Sequence, residues 1–184
     1  IDFDNVNFSN INRQIPALLS TVGQSKCQIM AARIADINPD CHLEYKIVCL
    51  DEENISEIVG QGDFLLDAID SLGAKAALIK YCLDNEIEVF SSMGTGNKLA
   101  PEMLQVADIS QTKICPLARS LRRRLRSLGI EKGFQVVYSE EIPIVPKRDS
   151  ENERAVGSCI FVPATAGLLL ASLAIRQLVQ KNSL

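Results

Sequence analysis

The chain is poor in several residue types, and each shortage narrows what it can be. It has one histidine, His42, at the head of an alternating segment, where it reads as structural rather than catalytic. Six cysteines, Cys27, Cys41, Cys49, Cys82, Cys115 and Cys159, contain no Cys-x-x-Cys pair. Their scatter excludes the usual knuckle for structural zinc and points to reduced thiols in a cytoplasmic protein. The net charge is -4, so no global field attracts nucleic acid, and such a partner must be served by a local basic patch. No signal-peptide pattern is visible. The one long apolar run, Ile160 to Val179, contains Pro163, Gly167, Ser172, Arg176 and Gln177. Its uncharged part is short for a bilayer, so it reads as a buried helix on a sheet, without stable membrane insertion.

What is present begins with bulk. With 184 residues, 47% of them hydrophobic, residues 1–184 are long and apolar enough for one domain with a sizeable core. The informative stretch is the start. Ile1-Asp2-Phe3-Asp4 reads as the end of a buried strand, with acids where the chain leaves the sheet. An acid there can take both ribose hydroxyls of a nucleotide. Asn10 and Arg13 lie one helical turn apart, and Lys26 opens the next amphipathic segment. Taken singly these are ordinary surface charges or turn residues. Together, an acid for a sugar, and an amide and two cations for phosphates, they outline a nucleotide site.

The rest alternates strand and helix. Residues 24–37 form a helix with Cys27, Met30, Ala31, Ile34 and Ile37 inward. Leu43 to Leu50 alternates as a strand, and Glu52 to Val59 is a short helix. Phe64 to Asp70 is a continuous apolar run ending in acids, as in a buried parallel strand. A helix over 74–84 then crosses to the strand Glu88–Ser92. This order predicts an α/β, doubly wound, Rossmann-like and mostly parallel sheet with helices on both faces. Such a sheet opens with a strand and a glycine-rich turn, and that first βα unit is expected to be missing from this chain. Asp70 is placed to hold magnesium against phosphates. Asp67 is either a second such acid or a strand acid bonded to a nearby loop.

Further on, residues 111–130 carry a helix that Pro116 helps to start. Arg119, Arg122, Arg123 and Arg126 share one face, with Leu117, Leu121, Leu125 and Leu128 opposite. The face is either a solvated surface or a site for a polyanion, RNA phosphates fitting best because no interleaved aromatics offer base stacking. Cys115, ahead of Pro116, reads as a small buried residue. Residues 146–156, polar and of mixed charge, read as a mobile loop.

The string Asp-Phe-Asp, Asn-Arg-Gln and Val-Gly-Gln-x-Lys resembles the adenylating enzymes of the ubiquitin-activating type. The segments Ser92–Leu99, Ala107–Arg126 and Val137–Glu141 resemble the branch that dehydrates threonylcarbamoyladenosine in tRNA. The resemblance implies ATP binding by Asp2, Asn10, Arg13, Gln14, Lys26 and Asp70, with Arg13 and Asp70 catalytic and Mg2+ on Asp70. It further implies a homodimer and, in some members, a cysteine desulfurase system as partner. The alternatives are an activator that adenylates the C-terminal glycine of a ubiquitin-like sulfur carrier, and a non-catalytic partner subunit.

Overall fold

The computed structural model describes residues 1–144 and 157–181. The expected loop at 146–156 lies outside them. Four strands, β1 (Phe64–Asp67), β2 (Glu88–Ser92), β3 (Leu104–Asp108) and β4 (Gln135–Ser139), form one sheet in the order β1-β2-β4-β3. β1 pairs with β2 and β2 with β4 in parallel, while β3 runs antiparallel to β4. The helices are α1 (Lys26–Ile37), α2 (Ile55–Ile58), α3 (Leu72–Asp84), α4 (Pro116–Ser127) and α5 (Phe161–Lys181).

Side-chain alternation in β2 and β4 feeds two cores, as a sheet covered on both faces requires. On one face Leu78, Ile79 and Cys82 of α3 and Ala118, Leu121 and Leu125 of α4 pack against Val89, Val136 and Tyr138. On the other, Val162, Ala166, Leu170, Leu173 and Ala174 of α5 cover Phe90 and Val137. The α/β, mostly parallel plan with helices on both faces therefore holds.

Local signals set the ends of α4. Pro116 stands at its first turn, where a missing N–H costs nothing. Gly129, at φ +79°, ends it: Gly129 donates to the Arg126 carbonyl at 3.0 Å and Ile130 to that of Leu125 at 2.9 Å, the paired bonds of a Schellman stop. The helix is thus shorter than the 111–130 expected.

Three expectations fail. Leu43–Leu50 forms no strand; a strand exists only as part of a ladder, and this segment meets none among the described residues. One bond ties it to the N-terminus, from the Asp2 amide to the Lys46 carbonyl at 3.3 Å. Phe3 is 58% exposed, so Ile1–Asp4 is not the end of a buried strand here. Of the apolar face expected on α1 only Cys27 is buried, and Met30 and Ile37 are exposed. α5 is buried on one side only, with Phe161, Leu168 and Ile175 exposed; by length and composition it meets the criterion for a membrane span.

Candidate functional site

The N-terminal motif is built by turns. Asn7 and Asn10 cap each other reciprocally: the Asn7 side chain accepts from the Ser9 amide at 3.0 Å, and Asn10 Oδ1 from the Asn7 amide at 2.9 Å. This capping box buries Asn10 and starts the short turn Phe8–Asn10. The Asn10 carbonyl then accepts from the Arg13 and Gln14 amides at 3.1 and 2.9 Å. Asn10, Arg13 and Gln14 therefore share one compact turn. The Arg13 guanidinium donates to the Ser9 carbonyl at 2.6 Å and to Asn12 Oδ1 at 3.0 Å. Asn12 in turn donates to the Ser158 carbonyl at 2.7 Å, tying this turn to the approach to α5.

A second cluster gathers Asp2, Asp4 and Lys26. Lys26 Nζ lies 2.5 Å from Asp4 Oδ2, its amide donates to the Asp4 carbonyl at 3.0 Å, and Asp2 Oδ1 accepts from the Asp4 amide at 2.9 Å. Lys26, expected to face phosphates, is here neutralised by Asp4. The pair is open on one side only, with Asp4 47% and Lys26 13% exposed. The two clusters are joined because Val6 bonds backbone-to-backbone with Gln24 and Gly23, each at 2.8 Å.

Asp70 sits apart, exposed just beyond the carboxyl end of β1. Among the described residues no hydrogen bond or ion pair joins it to Arg13 or Lys26. No group of three or more acids, histidines or cysteines there can hold a metal. A single exposed carboxylate still fits magnesium, which commonly takes one or two carboxylates plus substrate phosphates and water. Asp67 resolves into the loop-bonded alternative. Its carboxylate is buried and accepts from Lys75 Nζ at 2.6 Å, Ser91 Oγ at 2.6 Å and the Ile69 amide at 2.9 Å. Burial pulls the Lys75 ammonium below its ordinary pKa, opposed by the Asp67 charge and hydrogen bond and by the Asp70 charge. Sequence reading missed Lys75. The signal was a lysine inside the apolar run Ala74 to Ile79.

The arginine face is smaller than its sequence suggests. Arg119, Arg123 and Arg126 are exposed and have no partner among the described residues. Arg122 is half-buried and turned inward, donating to the Thr112 carbonyl at 2.9 Å and to the Thr112 hydroxyl. Arg124 pairs with Glu52 at 3.1 Å. Cys115 is buried at 2% exposure, as its small size suggested.

An α/β sheet covered on both faces, with an acid beyond a strand's carboxyl end and a polar N-terminal motif, has the plan of a nucleotide-binding domain. The chain belongs to the ThiF family, whose model matches residues 1–184, and within it to the tRNA threonylcarbamoyladenosine dehydratases. It is 40% identical over 193 residues to the Bacillus subtilis tRNA threonylcarbamoyladenosine dehydratase, covering 98% of this chain and 76% of that protein. The crystal structure of the Escherichia coli dehydratase in complex with ATP superposes with a TM-score of 0.90 at 36% identity, covering 99% of this chain and 75% of that one. By contrast, a probable molybdopterin-synthase adenylyltransferase of Porphyra purpurea is 31% identical over only 50% of this chain.

Proposed function

We infer that the chain carries out ATP-dependent cyclisation of threonylcarbamoyladenosine in tRNA by way of carboxylate adenylation. The observation that carries this reading is likeness over nearly the whole chain to dehydratases, one of them solved with ATP. The sulfur-carrier alternative has support over only half of it.

The chemistry follows from leaving groups. A carboxylate oxygen departs poorly. Attack of the carboxylate on the α-phosphate of ATP releases pyrophosphate and gives an acyl adenylate. A nucleophile within the same modified base then closes the ring, and AMP departs with the carboxylate oxygen, so the base loses one water overall. Both partners sit in one nucleoside, so the effective concentration is high. No protein nucleophile is required. The protein's task is charge stabilisation and placement.

In this reading Asp2 takes the ribose hydroxyls, and Asn10 and Gln14 complete the turn that presents Arg13. Arg13 and Lys26 face the phosphates, Lys26 exchanging Asp4 for them. Asp70 would hold magnesium, which would supply positive charge at the phosphates. The exposed guanidiniums of Arg119, Arg123 and Arg126 grip the tRNA backbone, Arg122 supporting them from Thr112. A cytoplasmic homodimer with a cysteine desulfurase system as partner completes the proposal.

The test uses the intact enzyme with ATP, magnesium and tRNA bearing threonylcarbamoyladenosine, the nucleosides being followed by mass spectrometry. Loss of one water is expected, abolished by Arg13→Ala and by Asp70→Ala. An unchanged nucleoside beside intact ATP binding refutes the tRNA assignment and favours a protein-tail substrate.

A further inference from the structure

Two charged side chains, Asp67 and Lys75, are fully buried 2.6 Å apart, with the Ser91 hydroxyl bonded to both: it donates to Asp67 at 2.6 Å and meets Lys75 Nζ at 3.1 Å. Replacing such a pair by packed apolar groups is often neutral or stabilising. Its presence therefore asks for a reason other than stability. The reason lies in what the pair encloses.

Asp67 ends β1 in register with Ser91 of β2, and Lys75 belongs to the first turn of α3. Between β1 and α3 run Ala68, Ile69, Asp70 and Ser71. The segment is closed at three points. Asp67 Oδ1 accepts from the Ile69 amide, one residue before Asp70. The Ser71 carbonyl, one residue after it, accepts from the Lys75 amide at 2.9 Å. Lys75 Nζ then returns to Asp67. Asp70 is thus an exposed acid on a closed ring whose other charges, Asp67 and Lys75, cancel.

We propose that Asp67, Lys75 and Ser91 form a positioning device that fixes Asp70 toward a magnesium-bound nucleotide. The proposal rests on the reading of Asp70 as the magnesium carboxylate. Lys75 is not a catalytic group, because its ammonium is sealed and committed to Asp67 and Ser91. Its role is to hold the carboxyl end of β1 against the start of α3. Because Asp67 already neutralises it, the Asp70 charge stays available for a cation.

The experiment is calorimetric titration of ATP into the intact enzyme, with magnesium and then with EDTA, alongside thermal unfolding. The double variant Asp67→Asn/Lys75→Met removes both buried charges with little change in volume. We expect the affinity gained from magnesium to fall about tenfold, the scale on which residues supporting a metal ligand act, while metal-free binding changes less than about twofold. Ser91→Ala, which keeps the ion pair, is the reserve should the double variant not fold, and a smaller loss of the same kind is expected. Lys75→Arg, which keeps the charge opposite Asp67, should retain more of the gain than the double variant, and an equal loss would count against the ion pair as the positioning element. A folded variant with the full magnesium gain overturns the proposal. Asp70→Asn separates the two layers: if it too keeps the full gain, the reading of Asp70 has failed; if it alone loses the gain, only the positioning role has.

Discussion

The arginine face allows a quantitative test, because the structure says which guanidiniums count. Five arginines lie on α4, but Arg122 is bound to Thr112 and Arg124 to Glu52. Three remain for phosphates: Arg119, Arg123 and Arg126. Each phosphate contact on a duplex contributes about 0.9 to the slope of log K against log salt, so replacing all three by alanine should lower that slope by about 2 to 3. At about 0.15 M salt the same relation gives roughly a 100-fold loss of tRNA affinity. Fluorescence anisotropy of labelled tRNA over a salt series measures both quantities. Arg122→Ala should behave differently, leaving the slope nearly unchanged and lowering stability by about 1 to 3 kcal/mol through the buried Thr112 acceptors it abandons. If the triple variant keeps the parent slope, or Arg122→Ala alone lowers it, the counting of free charges is wrong.

Two further outcomes are expected. Burial and then the Asp67 charge push the Cys82 thiol up to about 11, whereas Cys41 and Cys49 are exposed; with iodoacetamide at about pH 8 the exposed pair should alkylate and Cys82 should react only after unfolding, and comparable rates by peptide mass spectrometry would contradict its burial. Asp108 should contribute to acid stability. Burial alone would raise its pKa, but hydrogen bonds from the Ser110 hydroxyl and from the Gly133 and Ser110 amides, with the Lys132 charge, hold it below the ordinary 3.8. A carboxyl depressed on folding stabilises the protein above its unfolded pKa and loses that contribution as pH falls through the folded one, so Asp108→Asn should flatten the unfolding midpoint's dependence on pH in the window below 3.8, and an unchanged profile would show that the Asp108 carboxylate carries no such linkage.

Much was legible in the sequence wherever the cause was local. Pro116 and Gly129 bound α4 because each acts on its own backbone. The apolar run of β1 marked a parallel strand, though not a fully buried one, since Leu66 is 46% exposed, and the leucines of α4 announced its inner face, because periodicity is a property of neighbours along the chain. Asn10 and Arg13 could be grouped because a single turn contains them, and Gln14 joined them through the family resemblance. Position alone suggested magnesium on Asp70 and a polyanion on the arginine face; the particular tRNA substrate came from resemblance to a family.

Tertiary structure decided the rest. A strand needs a partner, so the alternation of 43–50 did not suffice, and the inward residues of α1 found little to pack against. Whether a charge is free depends on groups distant in sequence: Arg124 meets Glu52 and Lys26 meets Asp4. Lys75 looked like any helical lysine until folding brought Asp67 and Ser91 around it, since desolvation and ion pairing arise only when segments from different parts of the chain exclude water from the same place.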